Sequence, residues 1–296
     1  MARIAVIGAG AIGATLAAWL MKGGVNDVTI CARSPVNRLR ITAPGATIEA
    51  SPMVITDHAA ATPVDWVIAT TKTYDSPGCV PWIERLIEPS TCLAVVQNGV
   101  EHRDRFSAFV PAERTVPVIA YLPAERLAPG EVLQRENGRL VVPDDAAGLA
   151  FAQLFARTPI GVEATPDWLS VAWRKLALNA AGAVDALALQ PARIARSEEM
   201  GEAIRALVAE VRTVGRAEGA DLPEDLPELI LAHMRHEAPD GINSIHADRR
   251  AGRTMEIDAR NGIIVRAGAR HGIATPVSLM LTALLRAVQT SEKIQP

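Results

Sequence analysis

Long apolar runs are missing from this 296-residue chain. No stretch of about 18 consecutive uncharged apolar residues occurs, so a membrane-spanning helix is not expected. Cysteine is scarce: Cys31, Cys79 and Cys92 are odd in number and lack metal-ligand spacing. They read as reduced thiols in a reducing compartment rather than a disulfide framework. Aromatic residues make up 4% and the net charge is −3, which leaves few stacking platforms and no basic field, so no nucleic-acid partner is expected. His233 and His236 sit three apart beside Glu237 but lack a third ligand, and no metal is expected. There is no internal repeat and no low-complexity segment. Met1-Ala2-Arg3 leads straight into an apolar strand with no room for a signal peptide, which points to the cytoplasm.

What is present is a globular composition, 49% hydrophobic and 21% charged, at a length comfortable for two cores. The chain opens with a β-branched run, Ile4-Ala5-Val6-Ile7, that meets Gly8-Ala9-Gly10-Ala11-Ile12-Gly13 and passes into an Ala/Leu-rich helical pattern. This is the strand–turn–helix context of the dinucleotide fingerprint. Gly8 permits the tight turn, Gly10 the approach of backbone to a pyrophosphate, and Gly13 close packing of helix on sheet. The helix N-terminus offers N–H groups and a positive dipole end to the phosphates. After a second strand, Val28–Ala32, the place where an NAD enzyme carries a carboxylate for the ribose holds Arg33, with Arg38 and Arg40 nearby. A guanidinium grips a 2′-phosphate that a carboxylate would repel, so the expected cofactor is NADP.

Two further strands, Asp65–Thr70 and Cys92–Val96, end in Thr71-Lys72-Thr73-Tyr74-Asp75 and Gln97-Asn98-Gly99. Gly8, Arg33, Lys72 and Asn98 therefore fall beyond the C-terminal ends of successive strands, where an open parallel sheet binds its ligand. Strands at Thr115–Ala120, Glu131–Gln134 and Arg139–Val142 are expected to extend or cap that sheet, and Asp144–Arg157 to be helical. The pattern changes near Thr165-Pro166, a helix-start signal. One long helix is expected from Trp168 to about Leu189, carrying Lys175 and Asn179 four apart on one face. Helices at Glu198–Glu218, Leu226–Glu237, Met255–His271 and Val277–Val288 follow. The expected architecture is an N-terminal α/β, Rossmann-like doubly wound domain, residues 1–164, that binds NADP, followed by an all-α C-terminal domain, residues 165–296, that serves substrate and catalysis. Substrate is expected in the cleft between them.

The whole chain resembles the ketopantoate reductase family. The likeness runs through the opening glycines, Ala32-Arg33, Thr71-Lys72-Thr73-Tyr74-Asp75 and Gln97-Asn98-Gly99-Val100. It continues through Trp173-Arg174-Lys175-Leu176-Ala177-Leu178-Asn179, Asn243-Ser244, Gly252-Arg253-Thr254-Met255-Glu256-Ile257-Asp258 and His271-Gly272-Ile273-Ala274-Thr275-Pro276. The resemblance implies a Rossmann domain with a helical domain, NADPH as cofactor and a small 2-oxo acid as substrate. By resemblance Gly8, Ala9, Gly10, Ala11, Ile12 and Gly13 bind the dinucleotide, while Arg33 and Lys72 contact its phosphate and ribose. Asn98 lies beside nicotinamide and substrate, and Lys175 is the general acid. Asn179 and Ser244 contact substrate, and Glu256 touches cofactor and orders the site. The chemistry agrees: hydride reaching a C2 carbonyl builds charge on oxygen that an ammonium stabilises and protonates.

Three positions depart from the family pattern. Ala183 stands where a second asparagine is usual, Asn243-Ser244-Ile245-His246-Ala247-Asp248 replaces a Ser-Ser-Met-x-Gln-Asp run, and Gln134-Arg135-Glu136 replaces a histidine-bearing strand. Asp185 or His246 is the expected compensation for Ala183. The leading expectation is reduction of ketopantoate to pantoate, for pantothenate and coenzyme A. The alternatives are the same machinery acting on another 2-oxo acid or ketone, and a non-catalytic NADP(H) sensor. The apolar faces of the helical half suffice for a homodimer, and a monomer is equally allowed.

Overall fold

The structure, a computed structural model, describes residues 1–24 and 26–292. In chain order its first part runs β1 (Ala2–Ile7), α1 (Ala11–Lys22), β2 (Asn26–Cys31), β3 (Leu39–Ala43), β4 (Ala46–Ala50), β5 (Met53–Ile55), β6 (Trp66–Ala69), α2 (Val80–Leu86), β7 (Cys92–Val95), β8 (Thr115–Pro117), β9 (Ile119–Tyr121), β10 (Ala124–Ala128), β11 (Glu131–Gln134), β12 (Arg139–Pro143), α3 (Ala146–Leu154) and β13 (Gly161–Thr165). Contacts divide the chain into two units: residues 1–97 with 101–168, and residues 98–100 with the chain from Leu169 onward.

In the first unit, six parallel strands lie in the order β5-β2-β1-β6-β7-β8. The run in β1 is apolar throughout because both faces of the sheet are covered. Ile4 and Val6 join one core with Leu16, Leu20 and Phe151. Ala5 and Ile7, alternating to the opposite face, join another with Trp82, Ile83 and Phe106. Residues Gly13–Leu20 of α1 are all buried, since α1 packs on the parallel sheet and also against strands of a second sheet. A helix apolar all round is one covered on more than one side.

That second sheet corrects the expectation for the later strands. Only β8 extends the parallel sheet; β11 enters a four-stranded sheet of order β10-β11-β3-β4, and β12 a three-stranded sheet of order β13-β12-β9. Strands β3 and β4 were not anticipated, although Leu39-Arg40-Ile41-Thr42-Ala43 alternates buried and exposed with the strand period. Gln134 is 1% exposed: it accepts from Trp19 Nε1 at 2.8 Å and donates to the carbonyls of Glu136 and Asn137. The departure at Gln134 thus pins the end of β11 to α1.

From Leu169 onward the second unit contains the rest of α4 (Trp168–Ala181), then α5 (Ala183–Ala188), α6 (Glu198–Ala217), α7 (Leu226–His236), α8 (Ser244–Arg250), a π turn (Asp258–Gly262), α9 (Ile263–Arg270) and α10 (Pro276–Glu292). Trp173, Leu176, Ala177 and Ala180 of α4 pack with Ile204, Val208 and Val211 of α6 and Ile263 and Ile264 of α9. Each fully buried Leu, Ile or Val contributes about 1.5–3 kcal/mol. Among the described residues no helix is long and apolar enough to cross a membrane.

The single helix expected from Trp168 to Leu189 is instead two, interrupted at Gly182. Side chains from elsewhere take the carbonyls that a continuing helix would use. Arg260 takes Asn179 O, Asn261 Nδ2 takes Ala180 O at 3.2 Å, and Asn243 Nδ2 takes Gly182 O at 2.8 Å. Helix termini leave such carbonyls unpaired, and these side chains satisfy them. The helix expected at Met255–His271 begins later and includes the π turn.

Candidate active site

The first unit builds a phosphate cradle. Gly8 has φ +105°, a conformation that disfavours a side chain, and its N–H bonds Cys31 O at 2.9 Å. A Cβ on Gly13 would lie 2.0 Å from Gly8 O and 2.3 Å from Thr70 Oγ1, whereas a Cβ on Gly10 would meet nothing within 4 Å. The turn is therefore closed at Gly13 and open at Gly10. Gly10 caps α1 without a side-chain bond, and the first turn, with Ala11 and Ile12, carries no acidic residue. Such an uncapped N-terminus suits an anion, so the residues fit a dinucleotide pyrophosphate. Thr70, which the sequence reading passed over, fastens the turn: its Oγ1 lies 2.9 Å from Gly8 O and 3.0 Å from Ile7 O.

Arg33 and Lys72 follow the C-terminal ends of β2 and β6, on either side of β1. The Arg33 side chain is 87% exposed and reaches Asp75 at 3.4 Å. Arg38 pairs with Glu49, and Arg40 lies 4.0 Å from the same carboxylate. Of the three arginines Arg33 is thus the one projecting from the strand end. Gln97 also escaped sequence reading. Its Nε2 bonds Thr71 O at 3.1 Å and Ser76 Oγ at 3.1 Å, and its carbonyl pairs with His102 Nε2 at 2.8 Å. The loop carrying Lys72 is tied in this way to the loop after β7.

Asn98 follows that tie and belongs to the second unit. There its Nδ2 donates to Glu256 Oε2 at 2.9 Å, and its Oδ1 lies 3.5 Å from Asn179 Nδ2. Glu256 is buried, and Asn98, Asn179 and Lys175 are half-buried. Lys175 lies one turn before Asn179 on the same face of α4. The structure therefore links Asn98, Asn179 and Glu256 by hydrogen bonds, with Lys175 one helical turn away. Ser244 is exposed at the start of α8, and its Oγ accepts from Arg260 Nη1 at 3.1 Å.

Behind these residues is a polar layer that sequence reading only touched. Asp185 is 3% exposed; its Oδ2 accepts from Asn243 Nδ2 at 3.2 Å, and Oδ1 has no partner. Burial first, and Glu237 second, push its carboxyl up to about 7, against the pull of Arg260 and Asn243. His246 is buried with Nδ1 unpaired, and burial, then Arg250 and Arg249, lower its pKa. Ala183 is wholly buried in an apolar cluster with Leu207, Ile245, Met255 and Ile257, so no polar vacancy remains at that position. Arg260, which sequence reading did not single out, is 2% exposed. Its only advance signal was a charged residue spaced three or four positions from Ile257, Ile263 and Ile264.

The family model of ketopantoate reductase (PanE/ApbA) matches residues 4–146, and that of its C-terminal part matches residues 167–289. The chain belongs to the ketopantoate reductase family. The 2-dehydropantoate 2-reductase of Caulobacter vibrioides is 52% identical over 287 residues, spanning 97% of this chain and 99% of that one. That of Mycobacterium tuberculosis is 36% identical over 286 residues, spanning 96% and 97%. The crystal structure of a PanE/ApbA family ketopantoate reductase from Ralstonia eutropha superposes with a TM-score of 0.90 at 28% identity, covering 98% of this chain and 99% of that one. The family extends over both the sheet part and the helical part, which is the fold class expected from sequence.

Proposed function

We propose that this chain reduces 2-dehydropantoate to pantoate with NADPH, the step that supplies pantoate for pantothenate and coenzyme A. The observation that carries the reading is the 52% identity to a 2-dehydropantoate 2-reductase along 97% of the chain, with the lysine–asparagine face of α4 and the Asn98–Glu256 bond intact. The 1–164 portion serves the cofactor and the 165–296 portion the substrate.

Gly8, Ala9, Gly10, Ala11, Ile12 and Gly13 hold the pyrophosphate, and Arg33 with Lys72 the 2′-phosphate and ribose. NADPH, when bound, supplies the hydride that reduces C2 of the 2-oxo acid. Lys175 holds an ammonium at the ketone oxygen, stabilises the charge that grows there and gives up the proton. Glu256 accepts from the Asn98 amide, which fixes that amide's orientation for hydrogen bonding to cofactor and substrate. Asn179 and Ser244 bond the substrate.

The test is loss of NADPH absorbance on mixing protein with 2-dehydropantoate, repeated with a panel of 2-oxo acids. Turnover with 2-dehydropantoate at the highest kcat/KM is expected. Turnover confined to another acid would refute the substrate, and tight NADPH binding with no turnover would refute the enzyme.

A further inference from the structure

Arg260 lies within the π turn, a local widening of the helix that turns Ala259, Arg260, Asn261 and Gly262 all inward. Its Nη2 donates to Asn179 O at 2.7 Å, its Nε to the same oxygen at 3.2 Å, and its Nη1 to Ser244 Oγ at 3.1 Å. A guanidinium has five N–H donors, and a buried one ordinarily meets a carboxylate. Here no carboxylate among the described residues forms an ion pair with it, and its partners are one carbonyl and one hydroxyl. Burial lowers its pKa to about 10, opposed by Glu256, Asp248 and Asp185, so it remains charged at neutral pH.

The bond to Ser244 has a directional consequence. Arginine cannot accept, so Ser244 Oγ is the acceptor and its own O–H must donate elsewhere. Among the described residues that proton has no acceptor, and Ser244 is exposed. The same guanidinium fixes the backbone of Asn179. We propose that Arg260 is the positioning residue of the substrate carboxylate: it holds Asn179 and Ser244 together, aims the Ser244 hydroxyl outward as a donor, and places a buried positive charge behind the anion. This rests on the reading of the substrate as a 2-oxo acid, and it assigns anion selection to a residue that neither supplies the proton nor touches the reacting carbon.

The test compares a 2-oxo acid with its neutral methyl ester, because the ratio of the two kcat/KM values is insensitive to the fraction of active protein. Wild type, Arg260→Met, Arg260→Lys and Ser244→Ala are assayed with saturating NADPH, and NADPH affinity is followed separately by tryptophan fluorescence. Arg260→Met is expected to lower the acid-to-ester ratio at least tenfold, chiefly through KM for the acid, with NADPH affinity unchanged. Arg260→Lys, which keeps the charge without the fork, is expected to lower it about threefold. Ser244→Ala is expected to lower it too, with little further loss when combined with Arg260→Met. A ratio within twofold of wild type in folded Arg260→Met overturns the proposal. If that variant does not fold, an unchanged ratio in Arg260→Lys overturns it. Wild type inactive on 2-dehydropantoate refutes the proposed substrate instead, and the ratio on whichever 2-oxo acid it reduces still decides the role of Arg260.

Discussion

Replacing Asp185 by asparagine keeps the shape of the side chain and removes its capacity for charge. In the folded chain the carboxyl is 3% exposed, and its pKa is pushed up to about 7 from an ordinary 3.8, first by burial. Ionising it in place of a solvated carboxyl therefore costs about 4 kcal/mol. The sign follows from linkage: between pH 4 and 7 the folded state keeps a proton that the unfolded chain has released. Stability from this group is therefore highest below about pH 4, declines as pH rises to about 7, and is level above. Asp185→Asn lacks the decline. The stability of the variant relative to wild type is expected to grow steadily from pH 4.5 to 7 and then hold, reaching up to about 4 kcal/mol, or roughly 10 °C in the melting of the helical unit. Thermal unfolding of both proteins by circular dichroism across pH 4.5–8 measures the difference, in which other titrating groups cancel. A difference that does not change with pH, or one that shrinks toward pH 8, would refute the reasoning.

Lys175→Met is expected to lower kcat by about 10²–10⁴-fold while NADPH affinity stays within about twofold, as steady-state kinetics and fluorescence titration would report. Arg33→Ala is expected to weaken NADPH about 10- to 100-fold and to leave NADH affinity nearly unchanged, since a charge-assisted bond to the 2′-phosphate is what it removes. Equal losses for both dinucleotides would place Arg33 elsewhere. Gly13→Ala puts a methyl 2.0 Å from Gly8 O, a backbone atom that cannot swing away, so NADPH binding should be lost and the sheet unit should melt earlier than wild type. Normal NADPH affinity in that variant would contradict the geometry of the turn.

The phosphate turn was readable because its requirements are local. Positive φ at Gly8 and the close approach at Gly13 depend on a few bonds along the chain, and only glycine meets them. The β1 run and the Ala/Leu-rich α1 were likewise readable as a strand and a helix, and the alternation of Ile4 and Val6 with Ala5 and Ile7 between two cores is a property of strand geometry. The face shared by Lys175 and Asn179 follows from the helical period alone. Strands β3 and β4 were legible in principle from alternation, but they pair into a sheet of their own, and pairing is a long-range choice.

What only the tertiary structure decided is the fate of polar groups whose partners are distant in sequence. The apolar pattern runs on through Gly182, yet Arg260, Asn261 and Asn243 arrive from some 60 to 80 residues away and take the helix carbonyls. The meeting of Asn98 with Glu256, 158 positions apart, is of the same kind. Local rules name which residue types can turn, twist or cap. Where a buried charge finds its hydrogen bonds depends on which helices pack together, and that is settled by the burial of apolar faces over the whole chain.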